Sequence, residues 1–162
     1  MPQNNLAAAG YGAPDAPLPQ YAALVATFST ALGSLLATES SRPDTERLGF
    51  RDLLLLGIAT HKLSRLIAKD RVTSPFRAPF AKFVKSAGAG EVEEESRGQG
   101  TQKAIGDLVT CPFCVSPWAA LALLAALRIA PRAGRLLCGL LSSVALSHLL
   151  HHGYAALKER TE

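Results

Sequence analysis

Two thiols separated by two residues, Cys111-Pro112-Phe113-Cys114, are the residues of this 162-residue chain best placed by type and spacing to do chemistry. Such a pair can cycle between dithiol and disulfide. If the pair opens a helix, the helix N-terminus favours the Cys111 thiolate as attacking group and leaves Cys114 to resolve the mixed disulfide. The same pair can supply half of a tetrahedral zinc site, with the missing ligands drawn from His61, from Glu94 and Glu95 in the acidic run at 91–95, or from a second subunit. One Cys-x-x-Cys is a weak metal signal, because a closed zinc site takes four ligands. His151 and His152 are adjacent, point about 100° apart on a helix and read as interfacial side chains. Neither a nucleophile elbow nor a phosphate-cradling glycine motif is present.

The elements that must hold these groups are apolar helices. From Asp107 to Arg128 the chain carries no formal charge, a run of about 20 residues and long enough to cross a bilayer core as a helix. The thiol pair opens that run. An uncharged run at 16–38 and another at 136–157, the latter within a span over 134–157, complete three expected spans; those at 111–130 and 134–157 are joined as a hairpin through Arg128, Pro131, Arg132 and Arg135. Cys138, deep in the third span, reads as a small inert core residue. Pro112 and Pro117 stand in the first turns, where a missing amide hydrogen costs least, and Trp118 is placed as an interfacial anchor. Gly139 and Ser143 offer a small-residue face for close helix packing.

Composition agrees with a small membrane domain bearing a polar part. Hydrophobic residues make up 48% of the chain and the mean hydropathy is +0.17, above most soluble domains and below a protein made only of spans. A net charge of +4 suits an anionic membrane face; 6% aromatic residues, scattered, make no base-stacking platform, so nucleic acid is not expected as a partner. Three cysteines do not form an extracellular disulfide framework. Residues 1–15 read as a flexible tail with no removable signal peptide.

Residues 50–70 carry the sharpest pattern. At helical spacing Arg51, His61, Lys62, Arg65 and Lys69 share one side, while Leu53, Leu55, Leu56, Ala59, Leu63, Leu66 and Ile67 share the other. A basic amphipathic helix lying in the membrane interface is the expectation, since a cation at the bilayer centre costs about 2.5–3.5 kcal/mol on insertion scales. The alternative is a fourth span with His61 and Arg65 making an ion or substrate contact inside the bundle. With that fourth span, six cations lie on the turn side and nine on the other; with an interfacial helix, three oppose fourteen. Both arrangements place Cys111, Cys114 and the C-terminus in the cytoplasm, on the inner membrane of the cell.

Beyond it, Thr73-Ser74-Pro75 predicts the start of a short surface helix over 75–86, followed by an acidic, Gly-rich loop over 87–104. The alternatives for the acidic run are docking on the basic stripe and binding of a divalent cation.

The blocks THKLSRLIAKDRVTSPFR (60–77) and GDLVTCPFCVSPW (106–118), in that order and joined by a Gly- and Glu-bearing connection, closely resemble the bacterial small-membrane-protein family known as domain of unknown function thirteen-sixty. The resemblance covers about residues 50–157. On it, His61, Arg65, Asp70, Pro75, Arg77, Cys111, Pro112, Cys114 and Trp118 match the family's motifs, and the first apolar segment is an addition or a poorly shared region. The resemblance implies a membrane protein and brings no established activity.

Taken together, the expected fold is all-α: an integral membrane bundle of three spanning helices, or four, with a basic amphipathic helix. The expected role is non-enzymatic. Arg51, His61, Lys62, Arg65, Lys69, Asp70, Arg77 and Trp118 would contact anionic headgroups, a membrane protein partner or a second copy of the chain, without a cofactor. A thiol-disulfide oxidoreductase using Cys111 and Cys114 is one alternative, and a metal or ion protein with zinc at the thiols is another.

Overall fold

The computed structural model describes residues 15–40 and 48–161; the tail, except Asp15, and the polar turn after Ser40 lie outside the described residues. Helix α1 (Leu18–Ser40) forms over the first uncharged run. Its hydroxyls do not interrupt it, because Thr27, Thr30 and Ser34 each donate to the carbonyl four residues earlier at 2.8–2.9 Å. That satisfies the polar atoms within the helix and leaves its outer surface apolar.

Helices α2 (Phe50–Ala68), α5 (Pro112–Ile129) and α6 (Pro131–Glu159) build the core. Ala59 of α2 is fully buried among Leu123 and Leu127 of α5 and Cys138 and Leu141 of α6, with Leu55, Leu56 and Leu63 packed around them. Burial of a leucine side chain contributes about 1.5–3 kcal/mol, so this seam, more than the sparse contacts of α1, holds the bundle together. Ser142 Oγ donates to the Leu55 carbonyl at 3.0 Å. The α5–α6 turn closes at Ala130 with Pro131 opening α6. There Gly134 lets the backbones meet, since a Cβ at that position would lie 2.7 Å from the Leu127 backbone.

Three helices, α1, α5 and α6, are long and apolar enough to cross a membrane. Large apolar side chains such as Leu136, Leu140 and Leu149 are more than 60% exposed on α6, a surface suited to lipid and poorly suited to water.

Between α2 and α5 lies a polar cap, and here the expected all-α fold needs correction. The helix expected at 75–86 is one turn, α3 (Ser74–Arg77), preceded by a 3₁₀ turn at Arg71–Thr73. Strand β1 (Ala81–Gly88) follows and pairs antiparallel with β2 (Glu91–Ser96). The acidic run is thus not a solvated loop. Lys82 faces Glu95 and Lys85 faces Glu93 across the hairpin, with charged atoms 3.1 and 3.4 Å apart; opposite charges facing across strands stabilise the pairing. Helix α4 (Gly100–Thr110) then packs on β2. Its Gly106 is needed there, as a Cβ would sit 2.4 Å from the Phe80 carbonyl oxygen.

The expected packing face of Gly139 and Ser143 is not used within the chain. Nothing lies within 4 Å of a Cβ added at Gly139, and Ser143 is exposed.

Candidate functional site

The last turns of α2 carry His61, Lys62 and Arg65 to the cap. Where α2 ends, the start of β2 binds the chain just beyond it: Val92 N–H donates to the Lys69 carbonyl and Arg71 N–H to the Gly90 carbonyl, both at 2.9 Å, and Asp70 bridges Glu91. This places Glu91 against Arg65, whose Nη2 reaches the two carboxylate oxygens at 2.5 and 2.7 Å while Nε donates at 3.0 Å. Lys62 Nζ lies 3.2 Å from Asp70. The docking alternative for the acidic run is therefore realised through one residue, Glu91.

A cleft of about 570 Å³ opens above these pairs. One wall is His61, Lys62 and Arg65 of α2; a second is the hairpin turn at Ala87, Gly88 and Ala89; the third is α6, with Ala145, His148, Leu149, His151 and His152. All four histidines of the chain line it. The turn is tight: Gly88, Ala89 and Gly90 have φ of +81°, +48° and +79°. An L residue such as Ala89 adopts that region at a cost of about 1–2 kcal/mol.

The remaining expected contacts are dispersed. Arg51 is exposed near the far end of α2 and Lys69 is half-buried beside the hairpin. Arg77, expected on the surface, is instead the largest fully buried side chain. It pairs with Glu94, donates to the carbonyls of Ile67 and Asp70 at 2.6 and 3.0 Å, and meets the hydroxyls of Thr73 and Ser74. Glu94 is consumed by this pair and Glu95 by Lys82, so the two carboxylates considered as zinc ligands are engaged elsewhere. Among the described residues no three His, Cys, Asp or Glu side chains are grouped to hold a metal ion.

Cys111 and Cys114 form a disulfide at the start of α5, their Cα atoms 5.2 Å apart. Cys111 is the N-cap, and its sulfur accepts the Cys114 N–H at 3.2 Å. Cys114 borders an apolar cavity of about 410 Å³ between α1, α4 and α5. Trp118, expected as an interfacial anchor, stands there edge-on to Phe28 with ring centroids 5.3 Å apart. At the polar end Tyr21 Oη donates to Asp107 at 2.5 Å, and Ser96 and Lys103 also donate to that carboxylate. Burial opposes ionisation of Asp107, but the hydrogen bonds from Ser96, Tyr21 and Lys103 outweigh it and hold its pKa below the ordinary value.

Sequence reasoning found the dithiol and the cationic side of α2. It missed the gathering of histidines, the buried Arg77–Glu94 pair and the Tyr21–Asp107 tie. Only His148 and His151, one turn apart on α6, carried a local signal.

The fold is a small, mostly helical bundle under a polar cap, with three helices long and apolar enough to cross a membrane and a disulfide opening one of them. The chain belongs to the family described as "Protein of unknown function (DUF1360)", whose model matches residues 55–154. The match spans most of α2, the cap, α5 and most of α6, and leaves α1 outside. The chain is similar to "Sporulation protein YjcA" of Bacillus subtilis (strain 168), 29% identical over 101 residues, which cover 60% of this chain and 86% of that relative. No solved structure matches.

Proposed function

We propose that this chain is an integral membrane component that crosses the bilayer four times and acts by binding, at the seam between its cap and its helices, rather than by catalysis. The observation that carries this reading is the direction of α1 relative to α5. Tyr21 and Phe28, early in α1, meet Asp107 and Trp118 near the start of α5, and Glu39 at the end of α1 pairs with Arg128 at the end of α5. Two parallel crossings require a return crossing between them. Helix α2 supplies it: its start meets α6 at Asp52–Arg135 and its end meets the cap. Nineteen residues make a helix about 28 Å long, close to the thickness of a bilayer core. Pairing of Lys62 with Asp70 and Arg65 with Glu91 lowers the cost of holding those cations near lipid.

On this arrangement the cap, the disulfide and the C-terminus share one side. That side carries nine Lys and Arg, or eleven with Lys62 and Arg65 at the end of α2, against six near the two turns opposite, which favours the cytoplasm. The name of the relative, a sporulation protein, specifies no reaction.

Single cysteines at Ser40, Gln99 and Thr161, introduced with the native cysteines replaced, test the topology by labelling from either side of intact cells. Four crossings put Gln99 and Thr161 on one side and Ser40 on the other. Labelling of all three from the same side would refute the reading in favour of three spans and an interfacial α2.

The disulfide favours a second reading, thiol-disulfide exchange. A bond that persists in a reducing cytoplasm is unusual, so a cap on that side would make the pair one that cycles, whereas a cap on the outside would make it structural. If the pair exchanges, Cys114→Ser traps a mixed disulfide through Cys111 and Cys111→Ser does not.

A further inference from the structure

The cleft at the seam has a charge balance that only the folded chain creates. Its fixed cations, Lys62 and Arg65, are each matched by one carboxylate, Asp70 and Glu91. Those four charges cancel. What remains to set the charge of the cleft is the imidazoles of His61, His148, His151 and His152, contributed by helices far apart in sequence.

Imidazole is the side chain whose charge ordinarily changes between about pH 5 and 8. An imidazolium in this group adds a positive charge that the cleft's two carboxylates, already paired with Lys62 and Arg65, do not match. Shared ligation of a metal does not explain the gathering, because the side chains are not grouped to hold an ion. The volume of about 570 Å³ falls in the range of small-ligand sites, roughly 300–1,000 Å³. Its lining is also mixed: Ala145 and Leu149 give α6 an apolar border beside the histidines, which fits a polar anionic group attached to something greasy.

We infer that this cleft is a binding site for a phosphoryl group, presented by an anionic lipid headgroup or as a free phosphate, and that protonation of its histidines strengthens binding. The inference rests on the reading of the chain as a binding component of the membrane. Ion pairing between phosphoryl oxygens and imidazolium is charge-assisted, and four imidazoles on two helices can meet one phosphoryl group from opposite walls of the cleft. The hairpin turn at residues 87–89, beside the Arg65–Glu91 pair, forms the wall between α2 and α6.

The test is calorimetric titration of the full chain in a neutral detergent at pH 5.5 and pH 8.0 with three probes: dihexanoyl phosphatidylglycerol, dihexanoyl phosphatidylcholine and inorganic phosphate. The expected result is binding of phosphatidylglycerol at least tenfold tighter at pH 5.5, with phosphatidylcholine unaffected by pH. In the double variant His148→Gln, His151→Gln, both exposed positions, the tenfold gain shrinks to less than threefold while helicity by circular dichroism is unchanged. If phosphate alone binds with this pH dependence, the free anion is the source and the site stands. Binding of neither anion, binding indifferent to pH, or a double variant that binds like the parent overturns it. Because cysteine labelling reports topology without any ligand, a chain that labels as four crossings but ignores both anions loses only this inference.

Discussion

Arg65 of α2 grips Glu91 of β2 with both carboxylate oxygens engaged, 26 positions apart in the chain, and thereby ties the cap hairpin to a bundle helix. The Arg77–Glu94 pair is more deeply buried: its side chains are 2% and 6% exposed, against 41% and 22% for Arg65 and Glu91.

That contrast in exposure separates the expected effects of two similar substitutions. Glu91→Gln removes a solvent-screened pair worth at most about 1 kcal/mol, so the fold survives while hydrogen exchange quickens at the turn, 87–91. Glu94→Gln leaves a buried guanidinium without its counter-charge and costs about 3–5 kcal/mol. Thermal unfolding in detergent should show a drop for the second variant several times that of the first; equal drops would contradict the burial assigned to Arg77.

Docking of α1 through Asp107 should fail in acid. Its folded-state pKa is depressed below the ordinary 3.8, so its contribution is complete above the unfolded value and disappears as pH falls through the lower folded value. The only tryptophan of the chain, Trp118, faces Phe28 of α1 and reports the loss. Emission should shift below about pH 4, and Asp107→Asn should already show the acid spectrum at pH 7. A transition in the variant identical to that of the parent would contradict the assignment.

Two glycines of α6 should respond oppositely to alanine. Gly134→Ala drives a Cβ to 2.7 Å from the Leu127 backbone and is expected to cost about 1–3 kcal/mol by overpacking. Gly139→Ala meets open space and should be neutral or stabilising by up to about 1 kcal/mol, since alanine is the better helix former. Unfolding midpoints of the two variants check both.

Reduction of Cys111–Cys114 opens a very short loop, and the chain-entropy account then predicts a loss of only about 2 kcal/mol. The reduced protein should stay folded, with Cys111 and Cys114 alkylated and Cys138, 1% exposed, protected until denaturation. Alkylation counted by mass spectrometry before and after unfolding distinguishes two modified thiols from three.

The length and purity of three uncharged runs, the helix start marked by Cys111 and Pro112, and the placement of Cys138 in an apolar core were all legible in the sequence. They depend on residues next to one another, and hydropathy and capping act over that range. The hairpin was not legible. Lys82, Lys85, Glu93 and Glu95 look like solvated charge until an antiparallel register sets them opposite one another. Nor could the pattern of α2 disclose its surroundings: a basic stripe costs less in the interface when its cations are alone, and Asp70 and Glu91 become their partners only because β2 returns to the end of α2. The histidine cleft belongs to tertiary structure altogether, since His61 and His148 come to line one cleft through the packing of α2 on α6. Neutralisation and convergence are relations between distant segments, and folding alone creates them.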